Sequence, residues 1–168
     1  MVYTLYEGFV LQAKRGLTTL SHILRKAEQQ PNASSLPSCR LHNDMKSLSY
    51  QVFAATTQTL LVLAKLTAES LPTEDTSKDV IYTFAEMHGR IDRVLQALDA
   101  VDKDLILENC EAVTPTPLGA NILPLSGITY ACIMQANIFF HVTTAYGILR
   151  KEGVPLGKVD YILPFATS

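Results

Sequence analysis

Residues 128–151 read ITYACIMQANIFFHVTTAYGILRK, and within them Cys132, Gln135, Phe139, Val142, Tyr146 and Leu149 recur at three- and four-residue steps. That is the period of one face of an α-helix, and Gly153 beyond it supplies a C-terminal cap. A second stripe, Tyr130, Met134, Asn137, His141, Thr144 and Ile148, mixes polar with apolar groups along one side. A helix buried for packing alone has no use for such a mixture. The stretch therefore predicts both a long core helix and the place where chemistry resides.

Working outward, residues 103–127 hold Pro115, Pro117, Gly119 and Pro124 beside short apolar runs. This reads as an irregular crossover with room for a small hairpin, since no helix runs through those prolines. Before it, Ile81, Phe84, His88, Ile91, Leu95 and Leu98 predict a helix ending near Val101, with Thr83 and Glu86 spaced as a capping box. A polar linker, 73–79, precedes that helix. Leu48, Val52, Ala55, Val62, Leu63 and Leu66 predict another, N-capped by Asp44 or Ser47, running to Leu71 and stopped by Pro72. Leu5, Phe9, Ala13, Leu17, Leu20, Leu24 and Ala27 predict the first, ended by Pro31 and the polar run 32–35. Helices of roughly 20 to 25 residues can hide such stripes only against one another. The expectation is an all-α four-helix bundle with an irregular crossover before the last helix, one domain spanning 1–168. The helix order stays open between up-down-up-down and a crossover arrangement.

Composition narrows the function. The 168 residues are 48% hydrophobic and 18% charged, enough for one core without metal or disulfide staples. Fourteen basic and sixteen acidic residues, net −2, are scattered, so no extended positive face favours nucleic acid. Cys39, Cys110 and Cys132 are odd in number and lack CxxC spacing, which fits reduced thiols and a cytoplasmic location. Tyr3, Glu7, Lys14 and Arg15 interrupt the opening segment, unlike a signal peptide. Gln135, Asn137 and His141 would be costly in lipid, so no membrane partner is expected. Nucleophile-elbow, phosphate-loop and dinucleotide motifs are missing from the sequence.

Asn137 and His141 stand one helical turn apart, while Gln51 and Gln58, seven apart, share a face of the second helix with Ala55 between them. A buried polar group without partners costs about 1 to 3 kcal/mol, so such residues near a bundle axis need a reason. One reading is a satisfied structural network, with His141 bonding across to Gln51 or Gln58. The other is a small-molecule pocket in which His141 is a catalytic acid or base and Gln51, Gln58, Tyr130, Met134, Asn137 and Thr144 hold the substrate. An imidazole titrating near about 6.5 can take either role. The function expected first is an enzyme without metal or other cofactor, acting on a small hydrophobic molecule by isomerisation, cyclisation or proton transfer. A non-catalytic binding or dimerisation module is an alternative. His22, His42 and His88 read as structural or solvated.

Asn137 to Arg150, followed by Gly153-Val-Pro-Leu-Gly157-Lys158-Val-Asp160, resembles a family of short DinB-like proteins of bacteria and fungi, a domain of unknown function. Residues 6–27, Arg40-Leu41 with Asp44-Met45 and Gln51-Val52, and Phe84-Ala-Glu86 with Arg90-Ile91 fit it as well. The resemblance implies the DinB-like bundle and a homodimer paired through helix faces. It also implies a comparison with metal-binding relatives, which place one histidine on the second helix and an HxxxH pair on the fourth around a divalent ion. Here Asn137 and His141 fill the HxxxH spacing and Gln58 the second-helix position. Two of three ligands would be amides, which are weak donors to transition metals beside imidazole. A DinB-like metal-dependent transferase with a variant metal site is the remaining alternative.

Overall fold

The computed structural model describes residues 4–69 and 81–167. A π-helical turn at Tyr6–Val10 leads into α1 (Leu11–Glu28), which buries Ala13, Leu17, Leu20, Leu24 and Ala27, the predicted stripe. α2 (Leu48–Thr67) starts at Ser47, whose hydroxyl accepts the Tyr50 N–H at 3.2 Å, so Ser47 rather than Asp44 is the N-cap. α2 is buried on nearly every side, with small Ala54, Ala55, Thr56 and Thr59 among its large apolar residues. Such a helix belongs at the centre of a protein. Its buried threonine hydroxyls are satisfied within the helix, Thr56 donating to Val52 O at 2.8 Å and Thr59 to Ala55 O at 2.9 Å. The helix ends earlier than expected, at Ala68 in the left-handed conformation (φ 56°). Leu71, Pro72 and the linker 73–79 lie outside the described residues.

α3 (Phe84–Ala100) opens with the predicted capping box: the Glu86 N–H donates to the Thr83 hydroxyl, and the Thr83 N–H donates to the Glu86 carboxylate at 2.7 Å. α5 (Gly127–Lys151) is long and apolar enough, by length and composition, to cross a membrane. Here Tyr130, Ala131, Met134, Ile138, Val142, Ala145 and Leu149 pack it into the core. Of the stripe expected to lead this packing, Cys132 is exposed and Gln135 and Phe139 are half-buried. That flank faces the N-terminal turn and the C-terminal helix, not the core. α1, α2, α3 and α5 pack on one another, with α2 against α5 the most extensive pairing. The two run antiparallel: Gly127 meets Leu66 at one end, and His141 meets Gln51 at the other.

The expected irregular crossover is ordered, and it makes the protein mostly helical with a small sheet instead of purely all-α. Asp102 caps the short α4 (Lys103–Asn109) by accepting the Asp104 N–H at 2.9 Å. β1 (Thr114–Leu118) and β2 (Asn121–Leu125) then form a two-stranded antiparallel hairpin. Gly119 at φ 61°, followed by Ala120, gives the two-residue turn of type II′. The register pairs Pro115 with Pro124 and Pro117 with Ile122. Proline has no N–H, so these are the pairs that exchange no hydrogen bonds, and the prolines sit in the sheet without breaking its ladder.

A sixth helix, α6 (Lys158–Thr167), has no counterpart in the sequence reading. It docks on α1 through polar ties. Asp160 Oδ2 accepts the Gly157 N–H at 2.7 Å, while Oδ1 meets Lys26 Nζ at 2.9 Å and His22 Nε2 at 3.0 Å. The Gly157 N–H, then Lys26 and His22, hold this carboxyl well below the usual carboxylate range. The Thr19 hydroxyl donates to Tyr161 O at 2.9 Å.

Candidate functional site

The antiparallel seam between α2 and α5 brings the mixed stripe of α5 against the glutamine-bearing face of α2. Gln51 is 2% exposed. Its Nε2 donates to Lys46 O at 3.0 Å, and its Oε1 lies 2.7 Å from His141 Nδ1. The amide is therefore pinned at both ends. Because its oxygen faces the imidazole, Nδ1 carries the proton and Nε2 bears the lone pair.

The His141 ring is half-buried, with the rings of Phe140 and Tyr50 edge-on at 5.4 and 6.1 Å. Nε2 has no hydrogen-bond partner among the described residues. Among the described residues the sealed polar side-chain atoms without a partner belong to Tyr82 and His88, so Nε2 of His141 reaches solvent. Burial lowers the His141 pKa from 6.5 to about 4. At neutral pH the ring is uncharged and offers a lone pair on Nε2, while the burial that disfavours the imidazolium makes it a weaker base than a free imidazole.

The remaining expected residues spread along the same seam. The antiparallel run puts Gln58 level with Met134, two turns from His141, so the cross-helix partner of His141 is Gln51 and not Gln58. Asn137 and Gln58 are half-buried, whereas Tyr130, Met134 and Thr144 are buried. Burial pushes the Tyr130 phenol up. A cavity of about 510 Å³ lies on the outer side of α5, lined by Leu41, Phe139, Phe140, Thr143, Thr144 and Tyr146 among others. His141, Asn137 and the glutamines do not line it; its link to His141 is Phe140, whose ring is edge-on to the imidazole.

One buried centre lies outside the expected site residues, Arg90. It is 4% exposed on α3, its guanidinium 5.1 Å from the Phe53 ring centre and 5.3 Å from that of Tyr82. A charge at a core-facing helix position is the signal that would have found it. Of the other histidines, His42 is exposed beside Asp44, and His88 is covered, with Glu28 Oε2 3.6 Å from its Nε2.

A divalent metal of the kind held by DinB-like relatives needs three or more converging donors. Among the described residues no three His, Cys, Asp or Glu side chains come together. Gln51 and His141, which do meet, are committed to each other through Oε1 and Nδ1. The residues present do not fit such an ion.

Buried neutral, His141 makes acid destabilising. An unfolded imidazole keeps a pKa near 6.5 and the folded one about 4, so between these values the unfolded chain binds the extra proton. Stability is expected to rise from about pH 4 to about pH 6.5 and then level off. The ring's remaining contact with solvent limits the gain to on the order of 2 kcal/mol. Denaturant midpoints across this range check it, and a His141→Asn variant should lack that part of the slope.

Residues 5–162 match the family described as a domain of unknown function, DUF1993. Among solved structures, the crystal structure of a DinB family member protein from Shewanella denitrificans is similar, at 31% identity and a TM-score of 0.80. The match covers 94% of this chain and 91% of that one. No curated protein matches the chain. With likeness running from the first helical turn into α6, the chain belongs to the DUF1993 family and shares the fold of a DinB family member.

Proposed function

We propose that the α2–α5 seam binds a small hydrophobic molecule and that His141 acts on it as a base through Nε2, without a metal ion. The observation that carries this reading is the chain from Lys46 O through Gln51 to His141, which fixes the ring's tautomer and leaves Nε2 facing outward. A neutral, oriented imidazole is the form needed to abstract a proton in an isomerisation, cyclisation or elimination. Asn137 and Thr144 orient the substrate, and Gln58, Tyr130 and Met134 complete the binding surface. The proposal takes the chain as one DinB-like four-helix-bundle domain over 1–168, working in the cytoplasm as a homodimer with no nucleic-acid or membrane partner.

A second reading, a non-catalytic module, is favoured by the complete pairing of the Gln51 amide, which a structural network also provides. His141→Asn separates the two. If His141 is the base, a substrate found by thermal-shift screening should still bind the variant, while turnover falls by about a hundredfold to ten-thousandfold. If the network is only structural, the variant should lose about 1 to 3 kcal/mol of stability and keep full activity per folded molecule. That second outcome would remove His141 from the mechanism.

A further inference from the structure

Which molecules this seam takes follows from which hydrogen bonds its imidazole can make. Gln51 presents an oxygen to Nδ1, because its NH₂ is engaged by Lys46 O. The Nδ1 proton is thereby committed, and the neutral ring has only a lone pair left, on Nε2. A carboxylate or phosphate oxygen offers that lone pair no proton. Such an anion would bond to Nε2 only through a ring that is already doubly protonated, which is not the resting form of this half-buried imidazole at neutral pH.

The surroundings point the same way. Phe140 and Tyr50 flank the ring edge-on, and Phe140 also borders a surface cavity, not lined by His141 itself, whose lining is only apolar, hydroxyl-bearing and glycine residues. We infer that the ligand of this seam is an uncharged hydroxyl compound, a phenol or alcohol on an apolar skeleton, whose O–H donates to Nε2 of His141. The inference rests on the proposed reading of the seam as a binding site and adds the class of molecule bound there.

Three probes of one shape test it on the unmodified protein at pH 7: 4-methylphenol, toluene and 4-methylbenzoate. The readout is the ring ¹⁵N resonance of His141 Nε2 during titration. The expected result is a saturable shift with 4-methylphenol, at an affinity about two- to tenfold above both other probes, the worth of one net hydrogen bond. Equal binding of toluene would show that the lone pair is unused, and equal or tighter binding of 4-methylbenzoate would show that the site takes anions. Either result overturns the inference and leaves a binding site in place. If none of the three moves the His141 resonance, the proposed reading of the seam falls with it.

Discussion

Replacing Arg90 with alanine is expected to lower stability by about 3 to 5 kcal/mol, the range seen when a large buried side chain is cut back and its space stays open. Its guanidinium lies between the rings of Phe53 on α2 and Tyr82 just before α3. It also donates to the hydroxyls of Thr56 at 3.4 Å and Thr57 at 3.2 Å. Alanine removes the two cation–π contacts, these hydrogen bonds and the volume of the side chain together. For a chain of this length the melting temperature should fall by roughly 10 °C. Arg90→Lys keeps a charge without the flat fork that spans the two rings, so it should fall between wild type and alanine. Thermal melting decides: an alanine variant within about 2 °C of wild type would show that Arg90 does not join α3 to α2.

The second large effect is expected at Gly127, the first residue of α5. A Cβ there would stand 3.0 Å from Cys110 O, 3.0 Å from Leu66 Cδ2 and 3.2 Å from Cys110 Cα. Two of those atoms are backbone and cannot swing aside. The Ile128 N–H also donates to Cys110 O at 3.0 Å, so the end of α4 and the start of α5 are held in this close approach. Gly127→Ala is expected to cost about 2 kcal/mol by overpacking, and Gly127→Val more. By contrast, Gly147→Ala, whose Cβ would meet Leu41 side-chain atoms at 3.5 and 3.7 Å, should be neutral or slightly stabilising. Denaturant unfolding of the three variants tests this, and equal losses at positions 127 and 147 would refute the steric account.

Periodicity made α1, α2, α3 and α5 legible as helices, because three- and four-residue spacing survives in the bare sequence, although α2 is buried on nearly every side and α5 buries a different stripe from the one expected to lead. Capping was legible for the same local reason, as at Ser47 and Thr83. α6 was not: Pro164 stands inside it, and outward-facing Val159, Ile162 and Leu163 blur its apolar face. What holds α6 is Asp160 on α1, a pairing across most of the chain that local patterns cannot announce. The candidate site was half legible. His141 and two glutamines were visible as polar residues on apolar faces. The choice of Gln51 over Gln58 depends on how far α2 slides along α5, which is set at the far end by Gly127 against Leu66. Arg90 was hidden because a charged residue is ordinarily assigned to the surface.

The hairpin that replaces part of the crossover carries exposed Ile122 and Leu123, side chains that on an ordinary free strand would invite another molecule to join the ladder. The positions of β1 that turn their main chain away from β2 include Pro115 and Pro117, and the facing positions of β2 include Pro124. An incoming strand would find carbonyls along β1 but no amide protons at those two prolines, and one fewer along β2. The β1 edge is thus poor in donors by its covalent chemistry, while the β2 edge keeps the outward N–H of Ile122. At high concentration, or while the chain is still leaving the ribosome, a strand arriving at β1 would find carbonyls but no amide protons at its two outward prolines, which disfavours templating into a cross-β stack from that edge.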